Sequence, residues 1–318
     1  MDQTAVVILN WNKSDLTINF VRQLKLVEKN IDIIVIDNGS NQEEREKIHK
    51  FAEINNYRIF AESDLEKIRE ILDFPKGQDI LILLDHNYGY AKGNNFGLKF
   101  AYRLGYKYAL IANNDIEINS PVLEKMLRIF QKDNKIAVVG PKVIGIMGET
   151  QGHFIRPGIF DYVLVPIFFP VLIFFLGVYI KIFRKLNKID DYEIAYGLSG
   201  CFMLVRLDAM NEVGYFDERT FLYAEELILS EKLLSKGYKI VHYPEVSVKH
   251  LHGQSTKMLG EKKRYFMMVD ADLFYLKEYR NYSKIKLGLV KFAKTFWFYV
   301  WWPILFFISK SIEKLRKN

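Results

Sequence analysis

The feature that most constrains the fold is an alternation of short apolar runs with amphipathic helical patterns over residues 1 to about 140. The runs are rich in Val and Ile, as in Thr4–Leu9 and Ile31–Ile36. Between these two, the apolar residues from Leu16 to Val27 recur at helical spacing on one face. Such alternation is typical of βαβ units, in which helices join buried parallel strands. The sequence therefore predicts an α/β fold with a largely parallel sheet.

Local signals extend this pattern along the chain. Ser14 is expected to cap the first helix, and Asn41 with Glu44 three residues later is typical of a capping box. Ser120-Pro121 marks another helix start, with proline at the first helical position. Further strands are predicted at Tyr57–Phe60, Ile80–Leu84, Tyr108–Ala112, Ile136–Val139 and Tyr238–His242.

Polar residues directly follow four of the predicted strands. They are Asn10-Trp11-Asn12, Asp37-Asn38-Gly39-Ser40, Asn87-Tyr88-Gly89 and Asn113-Asn114-Asp115. Ligands of open α/β sheets bind beyond the carboxyl ends of the strands. We therefore expect these four junctions to surround one pocket.

Three of these positions suggest nucleotide or metal chemistry, and each has a plainer alternative. Asp37 could accept a hydrogen bond from a nucleobase N–H or a ribose hydroxyl, or it could belong to an ordinary Asp-Asn-Gly turn. The glycine-rich run Gly89–Gly97 could bring backbone amides and Lys92 to a phosphate at a helix N-terminus. Asp115 could ligate Mg²⁺ or Mn²⁺ beside substrate phosphates, or it could simply cap a turn.

The downstream half adds an acid pair and a histidine cluster. Glu225-Glu226 opens a predicted helix, and His250-Leu251-His252 follows a predicted strand. Adjacent acids at a helix start usually complement the helix dipole, and a single histidine is usually structural. On their own these residues leave the choice between function and structure open.

Charge is concentrated near the C-terminus. The formal net charge is +7, and residues 277–318 hold ten Lys/Arg and two acids, a net +8. A basic, aromatic tail beside apolar runs suits anionic lipid better than nucleic acid, because Lys and Arg near a membrane surface contribute ~1 kcal/mol each. We expect a membrane surface as a partner and no nucleic acid.

Cysteine content and the N-terminal pattern bear on the compartment. Cys201 is the only cysteine, so no intramolecular disulfide can form and a reducing compartment is expected. The N-terminus runs into the strand-like Ala5–Leu9 without the pattern of a secretory signal. Both observations favour the cytoplasm.

Eight short motifs occur in order between residues 4 and 256. They are Val6–Asn12, Val35–Ser40, Asn87–Gly97, Asn113–Asp115, Gly200-Cys201-Phe202-Met203-Leu204, Val213-Gly214-Tyr215-Phe216-Asp217-Glu218, Tyr223–Glu226 and His250–Ser255. Together they resemble the landmarks of family 2 glycosyltransferases, with the closest likeness to the rhamnosyltransferase-like, polysaccharide-assembling branch. The resemblance implies a GT-A fold, that is, a Rossmann-like mixed α/β sheet, and a nucleotide-diphosphate sugar as the donor.

The resemblance also implies roles for matching residues around the donor. Asp37 would lie at the nucleobase and ribose, with Asn10, Asn12 and Asn38 nearby and Lys92 at the phosphates. Asn113-Asn114-Asp115 matches the family's metal-binding Asp-X-Asp, although its first position is Asn. Asp115 would therefore ligate the Mg²⁺ or Mn²⁺, with Asn113 and Asn114 as polar contacts. His250 matches the late metal-ligating histidine, and His252 is the alternative.

The catalytic base implied by the family is the second acid of a Glu-Asp pair. That position is Glu226 here, which is one methylene longer but has the same chemistry. Glu226 would take a proton from an acceptor hydroxyl as that hydroxyl attacks the anomeric carbon from the face opposite the diphosphate. A single displacement of this kind inverts the anomeric centre.

Two apolar stretches complicate this picture. Val163–Ile180 carries no charge over eighteen residues, which is the threshold length for a membrane span. A single crossing would separate Asp115 from Glu226 and His250. We therefore expect the stretch to dip into the membrane and return, to lie in the interface or to be buried by protein. The shorter Phe296–Ile308 contains three Trp residues, which suit a membrane interface.

The resulting domain prediction is a glycosyltransferase domain over residues 1–256 with an apolar insert at 160–185. A basic, aromatic, membrane-associating helical segment over 257–318 follows it. The enzyme would work on the cytoplasmic face of the cell membrane, peripherally or through a re-entrant segment, on a lipid-linked glycan acceptor. An apolar contact between copies of the chain is the alternative use of these stretches.

Two other functions fit parts of the pattern. A sugar nucleotidyltransferase would also use a parallel sheet and a metal-binding aspartate, but the expected glycine- and arginine-rich phosphate loop near the N-terminus is not seen. A catalytically inactive scaffold that binds nucleotide sugar is suggested by the Asn113 and Glu226 departures. Transfer activity in the parent chain that is lost in Glu226→Gln would separate an enzyme from such a scaffold.

Overall fold

The computed structural model describes residues 4–65, 77–151, 153–169, 187–189, 191–251 and 260–307. The chain divides into two compact units. The first comprises Met1–Phe154 and Asn187–Arg264, and the second comprises Ile155–Leu186 and Tyr265–Asn318.

The strands and helices belong mostly to the first unit. The strands are β1 (Thr4–Asn10), β2 (Asp32–Asn38), β3 (Arg58–Ala61), β4 (Ile80–Leu84), β5 (Tyr108–Asn113), β6 (Ile116–Glu117), β7 (Ile136–Ile144), β8 (Thr150–Gln151), β9 (His153–Phe154), β10 (Asn187–Ile189), β11 (Tyr192–Ala195), β12 (Gly197–Leu198), β13 (Phe202–Arg206) and β14 (Lys239–His250). The helices are α1 (Ser14–Val27), α2 (Gln42–Ile54), α3 (Gly89–Arg103), α4 (Leu123–Phe130), α5 (Leu207–Glu212), α6 (Glu225–Ser235), α7 (Glu261–Glu278) and α8 (Lys284–Phe296).

A mixed sheet organises the first unit. Its order is β10-β11-β14-β7-β13-β5-β1-β2-β4-β3, with β6 paired to β14 and β8 to β7. Strands β5, β1, β2, β4 and β3 are mutually parallel, whereas β13 runs antiparallel between β5 and β7. The predicted α/β class is confirmed, and the sheet is mixed rather than largely parallel at its β13 side.

Helices cover both faces of this sheet because alternate strand residues point to opposite sides. Val6 and Ile8 of β1 pack into a core that includes Phe20 of α1. Ala5 and Val7 pack into a second core with α3, α5 and α6. The near-continuous burial of β1 and β2 explains why their sequences are apolar runs rather than alternating ones.

The caps of two helices differ from the sequence predictions. Ser14 is the first residue of α1 rather than its cap, and its backbone N–H donates to Glu44 Oε2 at 2.6 Å. Asn41 does cap α2 by accepting from Glu44 N. Because the Glu44 carboxylate is bonded to Ser14, only half of the predicted capping box forms.

The predicted start of α4 at Ser120-Pro121 is two residues early. The helix begins at Leu123, and the buried Glu28 accepts from the backbone N–H groups of Val122 and Leu123 at 2.6 and 3.1 Å. A carboxylate from a distant loop thus satisfies donors that a local cap was expected to bind.

The described residues of the second unit are mainly helical. A π-helical turn at Phe160–Leu164 comes first, and α8 continues through another at Trp297–Trp301 into helical residues 302–307. Asp272 and Lys294 form a buried ion pair between α7 and α8. Trp301 Nε1 donates to the carbonyl of Ile167 at 3.0 Å.

The described residues show no membrane-crossing insert. Within them, no helix is both long and apolar enough to cross a bilayer. Residues 165–169 of the predicted insert at 160–185 continue the Phe160–Leu164 turn as helix. Residues 170–186 lie outside the described residues, so most of that prediction is not addressed.

Candidate active site

Asp115 and His250 meet because two distant segments pair at one edge of the sheet. Asp115 lies between β5 and β6, and β6 pairs antiparallel with the end of β14 so that Ile116 faces His250. The backbone N–H of Leu251 also donates to the Asp115 carbonyl at 2.9 Å. Asp115 Oδ1 lies 3.2 Å from His250 Nε2, and both side chains are buried.

The separation of this pair suits a direct hydrogen bond and also two ligands of one cation. Two donor atoms each ~2.1 Å from a Mg²⁺-sized ion and at right angles are about 3 Å apart. The 3.2 Å separation of Asp115 Oδ1 from His250 Nε2 fits that arrangement. The alternative ligand, His252, lies outside the described residues.

The acid pair follows a strained turn. Glu225 and Glu226 begin α6, and the two residues before them have left-handed backbones, with φ of 74° at Tyr223 and 62° at Ala224. Non-glycine residues adopt this conformation at a cost of about 1–3 kcal/mol, and such strain clusters at functional sites. The turn sets the direction in which the first turn of α6 presents its carboxylates.

The Glu226 carboxylate is held by residues that the sequence did not assign to the site. Its Oε1 accepts from the backbone N–H of Gly200 at 2.9 Å. The Tyr90 hydroxyl donates to the Gly200 carbonyl at 2.6 Å. A Cβ at Gly200 would lie 2.8 Å from the Tyr90 oxygen and 2.9 Å from Glu226 Oε1, so a larger residue would displace one of these two side chains. Tyr90 and Gly200 both lie in motifs that carry the family resemblance, and these motifs are the sequence signal that could have identified them.

Burial makes these acids unusually basic. It raises the pKa of the Glu226 carboxyl, opposed by the hydrogen bond from Gly200. It raises the pKa of Glu225 well above 4.5, and the charge of Glu226 adds to that effect. A carboxylate with a raised pKa is a stronger proton acceptor. Glu225 Oε2 has no hydrogen-bond partner in the described part of the chain.

Tyr90 and Cys201 connect the acid pair to Asp115. Burial chiefly raises the pKa of the Tyr90 hydroxyl, and the charges of Glu226, Glu225 and Asp115 contribute. Burial likewise raises the pKa of the Cys201 thiol to about 12, with contributions from Glu226 and Asp115. Cys201 also directly follows Gly200, which holds Glu226, and its carbonyl accepts from the backbone N–H of Asn113, so contacts connect Glu226 to the Asp115 junction.

Asn10 and Asp37 form a buried network at the ends of β1 and β2. Asn10 Nδ2 donates to Asp37 Oδ1 at 2.8 Å, and Thr17 Oγ1 donates to Asn10 Oδ1 at 2.7 Å. Arg45 Nε lies 3.3 Å from Asp37 Oδ2. The Asp37 side chain has no exposed surface. Its predicted contact with a nucleobase stays a prediction.

Asn12 and Asn38 shape the loops beside this network. Asn12 has a left-handed backbone, with φ of 52°, and its Oδ1 accepts from Asn41 N at 2.7 Å. Asn38 Nδ2 donates to Asn87 Oδ1 at 3.0 Å and to the Gly89 carbonyl at 3.1 Å. Asn38 thus joins the end of β2 to the start of α3, which brings two of the four predicted junctions together.

The Asn113-Asn114-Asp115 junction joins the same region. Asn114 Nδ2 donates to Thr17 Oγ1 at 2.9 Å, so this amide faces inward. The backbone N–H of Asn113 donates to the Cys201 carbonyl at 2.8 Å. The Asn113-Asn114-Asp115 junction is thereby linked to the Asn10 network through Thr17.

Lys92 contacts the Tyr88 ring and lines a separate cavity. Its ammonium lies 4.0 Å from the centre of the Tyr88 ring. It lines a cavity of about 690 Å³ together with Lys99, Arg103 and Glu218. The residues that line this cavity include no other predicted donor-binding residue of the described chain. The structure does not bring Lys92 into the Asn10 network.

Sequence relatives include several glycosyltransferases. The chain is 42% identical over 71 residues to the N-acetylglucosaminyl-diphospho-decaprenol L-rhamnosyltransferase of Mycobacterium tuberculosis. The matched segment covers 22% of this chain and 23% of that protein. It is 23% identical over 196 residues to the low-salt glycan biosynthesis hexosyltransferase Agl10 of Haloferax volcanii, covering 61% and 58%. It is 26% identical over 243 residues to the poly-beta-1,6-N-acetyl-D-glucosamine synthase of Staphylococcus aureus, covering 74% and 46%. The matches thus span less than two thirds of each relative.

Solved structures share the fold. GalNAc-T7, determined with UDP, GalNAc and Mn²⁺, aligns with a TM-score of 0.55 at 13% identity over 95% of this chain and 57% of its own. The mannosyltransferase PcManGT of Pyrobaculum calidifontis, determined with GDP-Man and Mn²⁺, aligns with a TM-score of 0.54 at 12% identity over 94% and 70%. At these identities the likeness concerns the fold alone, and it supports the expected GT-A-like mixed α/β class.

The family model "Glycosyl transferase family 2" matches residues 5–214. This region covers about two thirds of the chain and contains β1 to β13. It therefore includes the Asn10 network, the Asp115 junction and Gly200, whereas Glu226 and His250 lie beyond it. The chain belongs to glycosyl transferase family 2.

Proposed function

We propose that this protein is an inverting glycosyltransferase that moves a sugar from a nucleotide-diphosphate sugar to a hydroxyl of a glycan acceptor. The observation that carries the proposal is a chain of contacts that joins Glu226 to the Asp115 junction. Glu226 accepts from the Gly200 N–H, and the carbonyl of the next residue, Cys201, accepts from the Asn113 N–H. A proton acceptor and a cation ligand beside one site are what direct displacement at an anomeric carbon requires.

Glu226 acts as the general base in this proposal. Its carboxylate accepts the proton of the acceptor hydroxyl while that oxygen attacks the anomeric carbon, and the bond to the diphosphate breaks on the opposite face. Such a step typically contributes about 10²–10⁴-fold to the rate. The Gly200 N–H orients the carboxylate, and the raised pKa increases its proton affinity.

Asp115 and His250 would hold the Mg²⁺ or Mn²⁺. A divalent cation bound there would offset the negative charge that grows on the departing diphosphate. Asn10, Asn12, Asp37 and Asn38 are proposed to shape the donor site, along with Asn113 and Asn114, whereas Lys92 lines a separate cavity. The Mn²⁺ in the complexes of the two structural neighbours supports a metal-dependent reaction.

The second unit suggests where the acceptor is found. Its helices expose large apolar side chains, including Ile304 and Phe307, on a segment that also carries Lys284, Lys286 and Lys291. Aromatic and apolar groups beside lysines suit the interface of an anionic membrane. We place the enzyme on the cytoplasmic face of the cell membrane, acting on a lipid-linked glycan in cell-surface polysaccharide assembly. The name of the mycobacterial relative supports such an acceptor.

Ligand-dependent thermal stabilisation tests the donor site. Detergent-purified protein is scanned with a panel of nucleoside diphosphates, with and without Mn²⁺. A ligand at a hundredfold excess over its Kd should add ~2.7 kcal/mol. We expect a Mn²⁺-dependent shift that disappears in Asp115→Ala and persists in the control Asp208→Ala, which changes an exposed acid on α5. No shift with any nucleotide would contradict the donor site.

A further inference from the structure

A second cluster of metal-binding side chains lies in the first unit, away from Asp115. It consists of His153 on β9, Glu193 on β11 and His242 on β14. Each residue offers one ligand atom, and these atoms all lie within 4.8 Å of one another. Strand pairing creates the cluster, because Glu193 and His242 are direct partners in the β11–β14 ladder.

The contacts within this cluster leave nitrogen atoms available. His242 Nδ1 lies 2.8 Å from Glu193 Oε2. The His153 and His242 rings lie 4.2 Å apart between centroids, with their planes inclined by 36°. His242 is only 3% exposed. Among the described residues, His153 Nδ1 and His242 Nε2 are buried and have no hydrogen-bond partner.

Buried polar atoms of this kind need an explanation. Leaving one such atom unsatisfied costs about 1–3 kcal/mol of folding stability. Two unsatisfied nitrogens on adjacent rings would therefore destabilise the fold unless a ligand binds them. A neutral imidazole nitrogen is the form of histidine that ligates metals.

We propose that His153, Glu193 and His242 form a binding site for a transition-metal ion of the Zn²⁺ class, separate from the cation site of the sugar donor. Two imidazoles and one carboxylate are a donor set that Zn²⁺ accepts, with a fourth position left for water or another ligand. Mg²⁺ prefers sites built of oxygen atoms. The proposal does not depend on glycosyl transfer.

The two metal sites are well separated along one strand. His242 precedes His250 by eight residues on β14, and a strand rises ~3.3 Å per residue. Even with the irregularity between Tyr243 and Ser247, one ion cannot serve both histidines. The sites also differ in chemistry, so they can be occupied by different ions.

The position of the cluster indicates a structural role. His153 pairs with Leu198 of β12, and β12 leads directly to Gly200, which holds Glu226. An ion at this cluster would fasten β9 and β12 to β11 and β14 of the main sheet. It would therefore restrain the segment that positions the proposed base.

Zn²⁺ binding to the full-length Asp115→Ala protein tests the proposal with the donor site weakened. Metal is removed with a chelator, and Zn²⁺ is titrated while bound metal is counted by mass spectrometry. Co²⁺ replaces Zn²⁺ in a parallel titration because its visible absorption reports imidazole ligation. We expect one Zn²⁺ per chain, with binding weakened tenfold or more when His153→Ala or Glu193→Gln is added. The control His49→Ala, on the surface of α2, should bind like the parent.

Three results would overturn the proposal. The first is failure of folded Asp115→Ala protein to take up one Zn²⁺. The second is unchanged affinity in folded His153→Ala and Glu193→Gln variants. The third is an equal loss in His49→Ala, which would mean adventitious surface binding. Circular dichroism checks the fold of each variant, and a lack of Zn²⁺ uptake by folded Asp115→Ala protein contradicts the proposal even if the added substitutions prevent folding.

Discussion

The two units use polar and apolar side chains in opposite ways. The first unit buries ionisable groups at or just after the ends of its strands and at the start of α6, including Asp37, Asp115 and Glu225. The second exposes apolar groups on the outside of its helices, and Phe307 is 75% exposed. Buried charge costs free energy unless it is paired or used, and exposed apolar clusters usually mark a contact surface. The proposed function assigns the chemistry to the first unit and the membrane attachment to the second.

Glu226→Gln should have the largest effect on this contrast. Removing the base should lower the transfer rate by about 10²–10⁴-fold, while nucleotide-dependent thermal stabilisation persists because the donor site is intact. Transfer is followed with labelled donor, and Glu212→Gln, an exposed acid at the end of α5, serves as the control. Transfer at the parental rate in Glu226→Gln would show that Glu226 is not the base. The buried acids of the first unit would then no longer mark it as the catalytic unit.

Lys294→Met should destabilise the second unit by about 3–5 kcal/mol, because it leaves Asp272 buried without its partner. Burial already raises the pKa of Asp272, and Lys294 opposes that effect. Three of the four Trp residues lie in Trp297–Trp302, so Trp fluorescence during urea unfolding reports mainly on this unit. The control is Lys291→Met at an exposed position.

The same variant tests the independence of the units. If they are separate, Lys294→Met should keep Mn²⁺-dependent nucleotide binding while its fluorescence transition moves to lower urea. Adding Asp272→Asn should recover part of the lost stability, because the unpaired charge is gone. Loss of nucleotide binding in a folded Lys294→Met protein would show that nucleotide binding by the first unit depends on the second unit.

Membrane attachment should depend on the second unit alone. Ile304→Glu with Phe307→Glu places charge on two apolar positions one helical turn apart. Burying each such side chain contributes about 1.5–3 kcal/mol, so binding to anionic vesicles should weaken about 100-fold or more. Leu26→Glu with Ile54→Glu is the control, since both are exposed apolar residues of the first unit. Flotation with vesicles measures both, and equal losses would contradict a dedicated surface.

Glu225→Gln should have the smallest effect, and its effect should depend on pH. Burial raises the folded-state pKa of Glu225 above the ordinary value of 4.5. The contribution of neutral Glu225 to folding stability is therefore present below pH 4.5, and it is lost as pH rises through the folded-state pKa. A neutral Gln avoids this loss. The variant should gain about 1–3 kcal/mol at pH 8 and little near pH 4.

Urea unfolding of the parent and Glu225→Gln across this pH range provides the measurement. The control is Glu245→Gln, at an exposed position of β14. A difference between parent and Glu225→Gln that is independent of pH would mean that the buried charge is not the cause.

Much of the first unit was predictable because its signals are local. The predicted Ile80–Leu84 agrees with β4 at both ends, and the strand predicted at Ile136–Val139 begins where β7 begins. The helix caps were less predictable. Ser14 and the start of α4 bind Glu44 and Glu28 from other segments, and no spacing pattern near either helix reveals such partners.

The sequence by itself determined the α/β alternation, the polar junctions at the strand ends and the family to which the chain belongs. Only the tertiary structure decided that Asp115 faces His250, that Gly200 holds Glu226 and that His153 approaches Glu193 and His242. Periodicity depends on neighbouring residues and can be seen in the sequence directly. A contact between distant residues depends on strand order and register, which arise only when the whole sheet assembles.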